Sequence, residues 1–166
     1  MKKLFLIIIL CLSLSSCNKS NIFQDSNIHS QEKEANLILN NLLTYLENND
    51  TSAIKDLFAD NLIINSDTLD NEIQQMVDYF DGEVISYKKI GTVAGEISYR
   101  DGVVTYSVAS NAHTNEIVTD NCTYRLSFAA ILVNEDNKAS EGLWRIWIGK
   151  SDNDYLIIGS PEGTQS

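Results

Sequence analysis

The chain has 166 residues, a formal net charge of −11, 43% hydrophobic and 21% charged side chains, eight glycines and one proline. This is enough chain for one ordinary core and too apolar a composition for a disordered polymer. Its acidity repels phosphate backbones and anionic headgroups, which excludes nucleic acid and direct docking on a lipid surface as expected partners.

Lys2 and Lys3 precede an apolar run from Leu4 to Leu14, followed by Ser15, Ser16 and Cys17. A charged start, a greasy middle and small residues before a cut are the pattern of a secretory signal peptide. The run is roughly half the length that spans a hydrocarbon core, so a permanent membrane helix is not expected. Leu14-Ser15-Ser16-Cys17 resembles a bacterial lipoprotein lipobox. That resemblance implies cleavage before Cys17, with Leu14, Ser15 and Ser16 as the recognised residues. It further implies a diacylglyceryl thioether on Cys17 and a fatty acyl chain, of the palmitate class, on the new amino end. Two or three chains anchor durably where one holds marginally. The implied location is the cell membrane of a bacterial envelope, lipid-anchored and facing outward from the cytoplasmic membrane. An ordinary secretory peptide in which Cys17 is incidental is the alternative.

Residues 1–16 then form the signal peptide and 17–30 the lipidated cysteine with a polar stretch, apolar only at Ile22, Phe23 and Ile28. Such a stretch is expected to be a flexible tether. His29 at its end is read as no ligand. Loss of Lys2 and Lys3 leaves ten basic against 23 acidic side chains, a charge of −13. Cys11 departs and Cys17 carries lipid, so Cys122 has no disulfide partner and no zinc set exists. It reads as a small packed hydrophobe.

The folded domain is expected over 31–159. Ala35, Ile38, Leu39, Leu42 and Leu46 repeat at helical spacing, which predicts a helix over 31–48 with Ser30 as its cap and Glu32 and Glu34 at its positive end. A second helix is expected over 51–59, capped by Asp50 or Thr51, with Ile54, Leu57 and Phe58 inward. Leu62, Ile63 and Ile64 read as an apolar connector. A third helix over 68–81, capped by Ser66 or Asp67, would bury Leu69, Ile73, Met76, Val77 and Phe80 and end at a left-handed Gly82. From there the period becomes extended. Strands are expected over 84–90, 96–99, 103–118, 122–133, 143–150 and 155–158, with turns at Asp101-Gly102, at 119–121 and at 151–154. A polar loop covers 134–142, and the polar tail 160–166 holds Pro161. Helices first and antiparallel strands afterwards make an α+β domain: three N-terminal helices packed on a strongly curved sheet of about five or six strands.

In this order of elements the chain resembles the nuclear transport factor 2-like, or cystatin-like, superfamily, in which a bent sheet wraps an N-terminal helix as a cone. It is also similar to an uncharacterised family of Gram-positive lipoproteins, a domain of unknown function. The residues carrying that likeness are Asn41-Leu42-Leu43, Leu57-Phe58, Asp81-Gly82, Thr119-Asp120, Tyr124-Arg125-Leu126 and Gly142-Leu143-Trp144-Arg145-Ile146-Trp147-Ile148, across about 31–150. The resemblance implies a fold and a location, and no established activity.

No phosphate loop, nucleophile elbow or nucleotide fingerprint occurs, and Ser110, Ser127 and Ser140 lack a G-x-S-x-G context. His113 is the one histidine after the tether. As a general base it would need an orienting partner and a pocket, and a turn centred between Asp120 and Asn121 would bring it beside Phe128. Asp67 and Asp70 at a helix start, Asp152 and Asp154 in a turn, and Glu135 and Asp136 in a loop are explained by capping and turn chemistry. The Asp152-Asn153-Asp154 run lacks the glycine and distant glutamate of a calcium loop. Alternation predicts Trp144, Ile146 and Ile148 on one strand face and Leu143, Arg145 and Trp147 on the other, so the tryptophans share a face only if a bulge intervenes. Tyr106, Tyr124, Trp144 and Trp147 are the candidate pocket or surface aromatics.

The reading is a membrane-anchored, non-enzymatic lipoprotein that binds a small molecule, a peptide or another envelope protein, with no cofactor and no metal. One alternative is a small-molecule enzyme with an acid or base in the cone, His113 being its candidate. The other is an accessory or immunity-type interaction protein that uses the outer sheet face. Pocket readings need a cavity with converging polar groups, and the interaction reading needs an exposed apolar patch.

Overall fold

A computed structural model describes residues 19–90, 93–111 and 115–159. Leu14, Ser15, Ser16, Cys17 and His113 lie outside the described residues. The chain divides into two compact units, Met1–Ser30 and Gln31–Ser166. Among the described residues no helix is long and apolar enough to cross a membrane.

Helix α1 (Lys19–Glu47) starts well before the expected residue 31. The stretch read as a tether is therefore helical from Lys19 onward, and Ser30 lies inside the helix rather than capping it. No glycine or proline between Lys19 and Glu47 stops the helix. Ala35, Leu39, Leu42, Leu43 and Leu46 are buried along one face, with Ile38 half-buried beside them.

A polar stripe on the same helix binds the first strand, β1 (Val84–Tyr87), and its continuation. The Asn36 amide donates to the Ile90 carbonyl at 2.9 Å and its oxygen accepts from the Ile90 amide at 2.9 Å. The Tyr87 hydroxyl donates to Asn40, and the Val84 amide donates to Glu47 Oε1 at 2.7 Å. Strand β1 ends the sheet on this side, and the stripe covers backbone that an edge strand would otherwise expose.

The expected helix over 51–59 is shorter, α2 (Thr51–Lys55), capped by Asp50 Oδ1 accepting from the Ala53 amide at 3.0 Å. The segment 62–64, read as a connector, lies in a further helix, α3 (Asp60–Asn65). The interruption has a tertiary cause. The Ala59 amide donates to the Leu143 carbonyl at 2.9 Å and the Leu143 amide to the Leu57 carbonyl at 2.8 Å, a short parallel bridge that pulls residues 57–59 out of the helix.

Helix α4 (Leu69–Tyr79) buries Leu69, Ile73, Met76 and Val77 as expected. Neither Ser66 nor Asp67 caps it: Thr68 stands at the N-cap, its hydroxyl donating to Glu72 Oε1 at 2.7 Å. The other Glu72 oxygen accepts from the Gly159 amide at 2.8 Å and ties the end of the sheet to this first turn. At the far end Phe80 is the C-cap, which puts Gly82 two residues beyond it rather than at the expected C′ position. Gly82 has a φ of +94°, and a Cβ there would stand 2.2 Å from Asp120 Oδ1.

Among the described residues, the strands that follow form one antiparallel sheet of eight rather than five or six. After β1 come β2 (Val93–Ala94), β3 (Ile97–Arg100), β4 (Val103–Asn111), β5 (Asn115–Thr119), β6 (Thr123–Asn134), β7 (Gly142–Ser151) and β8 (Asp154–Ile158). The larger number includes the two-residue β2 and the separate segments β4 and β5. β4 and β5 pair successively with one edge of β6, so the single strand expected over 103–118 is present as one row in two segments. β7 takes the other edge of β6, and β8 follows as the outer strand. The Asp101-Gly102 turn closes β3 onto β4 with both residues at positive φ, as an expected type I′ hairpin requires. The β5–β6 register, Ile117↔Tyr124 and Val118↔Thr123, is that of a turn centred between Asp120 and Asn121.

The helix-covered face of the sheet is occupied by side chains. Ile117, Tyr124, Leu126, Ile146 and Ile148 have no exposed surface and belong to one cluster with Leu39, Leu42 and Leu46 of α1 and Ile73 and Met76 of α4. Where β4 turns polar residues inward, α1 answers them: the buried Gln31 amide donates to Ser107 Oγ at 3.0 Å and to the Val108 carbonyl at 3.1 Å. Cys122 is a free, half-buried thiol packed against this core.

Candidate functional site

β7 pairs with β6 by the sequence of partners Ala129↔Arg145 and Ala130↔Leu143, with Trp144 as the extra residue. This bulge overturns the expected alternation. Leu143, Ile146 and Ile148 are buried together, whereas Trp144, Arg145 and Trp147 are on the exposed side. A bulge advances the chain by one residue without crossing the sheet, which is how both tryptophans leave the core. The period-2 pattern alone could not have revealed it.

Of the four candidate aromatics, Tyr124 is no pocket residue. Its ring is fully buried, stacked on Phe80 with centroids 5.0 Å apart. Its hydroxyl accepts from the Asp81 amide at 2.7 Å and donates to the Tyr79 carbonyl at 3.1 Å. Burial pushes its phenol up to about 12 from the ordinary 10.0. Tyr79 packs edge-on against it and is raised in the same direction by the same cause. Tyr106 is half-buried in β4 opposite Asn134. Trp144 is 39% exposed and lines a hollow of about 240 Å³ with Leu62 and Asn65 of α3 and with Ile131.

Trp147 stands in a richer setting. Across the open face the pairings run Ser110–Ala129–Arg145, then Ser127–Trp147–Ile157, then Arg125–Gly149–Tyr155. Trp147 and Tyr155 stack with centroids 5.6 Å apart and planes 28° from parallel. They meet over Gly149, where an added Cβ would press on Tyr155 at 2.7 Å and on the indole at 3.2 Å. Ile157 and Tyr155 remain 45% and 46% exposed on the edge strand β8. The small Ala129 leaves a polar hollow of about 190 Å³ bounded by Ser110, Ser127, Arg145 and Trp147. Arg125 on the same face is held by Asp152 at 3.0 Å.

The carboxylates singled out from the sequence are spoken for or dispersed. Asp70 pairs with Lys55 at 2.6 Å, Asp136 with Arg100 at 3.8 Å, and Asp152 with Arg125 at 3.0 Å. Glu141 is held below the usual carboxylate range by the Lys138 ammonium and the Asn134 amide. Among the described residues no group of three His, Cys, Asp or Glu side chains could hold a metal ion.

The family model described as Domain of unknown function (DUF5104) matches residues 41–152. The chain belongs to the DUF5104 family. A search of curated proteins found no match. Within the DUF5104 domain the segments that carried the sequence resemblance meet in two places. Leu57-Phe58 bridges Gly142-Leu143, and Asp81-Gly82 docks on Thr119-Asp120 and on Tyr124. In the second, Thr119 Oγ1 donates to the Asp81 carbonyl at 2.9 Å and Asp120 Oδ1 accepts from the Glu83 amide at 2.8 Å. Both are locks between helices and sheet. Ser110, Ser127, Arg145 and Trp147 all fall within the matched span of the DUF5104 domain, and Tyr155 and Ile157 fall just after it. Sequence reasoning named both tryptophans but missed the role of Arg145 and Ser127. Strand alternation could have grouped Arg125, Ser127 and Ala129, but not their neighbours across β7.

Proposed function

We propose that this protein is a lipid-anchored lipoprotein on the outer side of the cytoplasmic membrane, and that its DUF5104 domain is a non-enzymatic binding module. The domain takes its ligand, a peptide or another envelope protein, on the open face of the sheet. The sheet laid on α1 is of the cone type found in the nuclear transport factor 2-like superfamily. The observation that carries the reading is the half-buried Trp147 grouped with the exposed Tyr155, Ile157 and Arg145 on β7 and β8, set against a helix-covered face already occupied by core side chains. Stacked aromatics beside an arginine are the composition of energetic centres in binding surfaces.

Two experiments test the two halves of this reading. Cys17→Ala is expected to release the protein from washed membranes, and a variant that still sediments with them would refute the anchor. For the binding face, a photo-crosslinking residue at Ile157 in cells should capture a discrete partner, while the same residue at the exposed Ile64 of α3 should not. Trp147→Ala should lower that yield about tenfold or more. Equal capture from both positions, or yield indifferent to Trp147, would exclude the open face.

A further inference from the structure

The open face carries more than an apolar patch, because among the described residues an uncommitted cation, Arg145, stands at its polar hollow. Arg145 is exposed, and among the described residues its side chain makes no ion pair or hydrogen bond. Its neighbour Arg125 is neutralised by Asp152, and Lys150 is drawn to the opposite side, its ammonium 4.5 Å from the Tyr79 ring centre. In a chain of net charge −11, a guanidinium left open beside hydroxyls and an indole is the feature of this face most suited to an anion.

We propose that the hollow bounded by Ser110, Ser127, Arg145 and Trp147 is a carboxylate-binding subsite, which takes the acidic end group of the ligand on the open face. The proposal rests on the binding-face reading above and specifies its chemistry. Arg145 offers a fork of N–H donors that matches a carboxylate's two oxygens. The half-buried Ser127 hydroxyl, with no protein partner among the described residues, supplies a further donor. Ser110 already donates to the Ala94 carbonyl at 3.0 Å, so it presents lone pairs, which suit an N–H or O–H next to the acid. Trp147 forms the apolar wall, its ring fixed by the stack on Tyr155.

One cation balances one negative charge, and the acidic surroundings penalise a second, which favours a carboxylate over a phosphate. The volume of about 190 Å³ is below the ~300–1,000 Å³ of sites that engulf a whole ligand, so the hollow holds an end group. The source that the binding-face reading supplies is the C-terminal carboxylate of a peptide or protein; a sugar acid that binds in its place would overturn that source.

The test uses the full chain in detergent and follows the Trp147 indole N–H by NMR. The probes are N-acetyl-alanyl-alanine and methyl glucuronide, each as the free acid and as the carboxamide. The peptide acid should shift the signal saturably, with its amide about tenfold weaker or worse. Arg145→Gln should weaken the same acid by about tenfold or more, Arg145→Lys by less, and Ser127→Ala by a few-fold. A shift with methyl glucuronide in place of the peptide acid would overturn the peptide source. No saturable shift with either acid, equal binding of acid and amide, or an unchanged Arg145→Gln protein would each overturn the proposal. Crosslinked capture lost in Trp147→Ala but intact in Arg145→Gln would also overturn it, while leaving the binding face standing.

Discussion

Tyr124→Phe is expected to cost the domain about 1–2 kcal/mol, a large effect for the loss of one oxygen atom, because it removes the partner of two part-buried polar groups at once. The Asp81 amide and the Tyr79 carbonyl sit where α4 ends, and the Tyr124 hydroxyl serves both, at 2.7 and 3.1 Å. Phenylalanine would keep the stack on Phe80 and lose only this bridge. Tyr124→Ala would also empty a fully buried site and should cost about 3–5 kcal/mol, enough to unfold a marginal domain. Urea titration of the three proteins reads these differences, and a Tyr124→Phe protein as stable as the parent would show that the hydroxyl bridge contributes nothing.

The same residue predicts a pH dependence. The folded chain holds the phenolic proton up to about 12, while the unfolded chain releases it near 10.0. Between those values the native state binds more protons, so stability falls as pH rises. The contribution is complete below pH 10 and disappears through about pH 12. The stability gap between the parent and Tyr124→Phe should therefore narrow in that window. A gap that widens there would contradict the assignment.

Gly142→Ala is expected to lose about 2–5 kcal/mol. Gly142 has a φ of +123°, where an L side chain is strained, and its Cβ would stand 2.8 Å from the Ala59 amide nitrogen and 3.0 Å from the Leu57 carbonyl oxygen. Backbone atoms on both sides cannot yield as the tip of a flexible side chain would. The substitution would push apart the bridge that joins residues 57–59 to β7, and with it the seating of α3 beside Trp144. Faster hydrogen exchange at the Ala59 and Leu143 amides, with a lower denaturation midpoint, is the expected signature. Unchanged exchange at both amides would mean that the bridge tolerates the methyl group.

The candidate site was legible only in part. Trp144 and Trp147 stood out by residue type, and the possibility of a bulge was implicit in their odd spacing. Arg145 carried no signal of its own, because its value lies in what it lacks: Asp152 takes Arg125, and among the described residues no carboxylate reaches Arg145. Tyr124 misled for the opposite reason. Aromatic residues in strands look alike until the partners of their polar atoms are known, and its partners lie 43 and 45 positions away in the chain.

The amino-acid sequence by itself determined what depends on neighbours within a few residues. The apolar faces of α1 and α4, the Asp50 cap, the Asp101-Gly102 hairpin and the β5–β6 register all follow from local spacing and turn chemistry, which act over one or two turns of chain. The tertiary structure alone decided where that local logic is overruled. It split the second helix because Leu143 offered hydrogen bonds to residues 57 and 59, and it carried α1 through Ser30. It also moved Trp144 out of the core by a bulge opposite Ala129 and Ala130. Each of these reversals depends on a contact between segments far apart in the chain or on a register slip of one residue, and short-range periodicity carries no information about either.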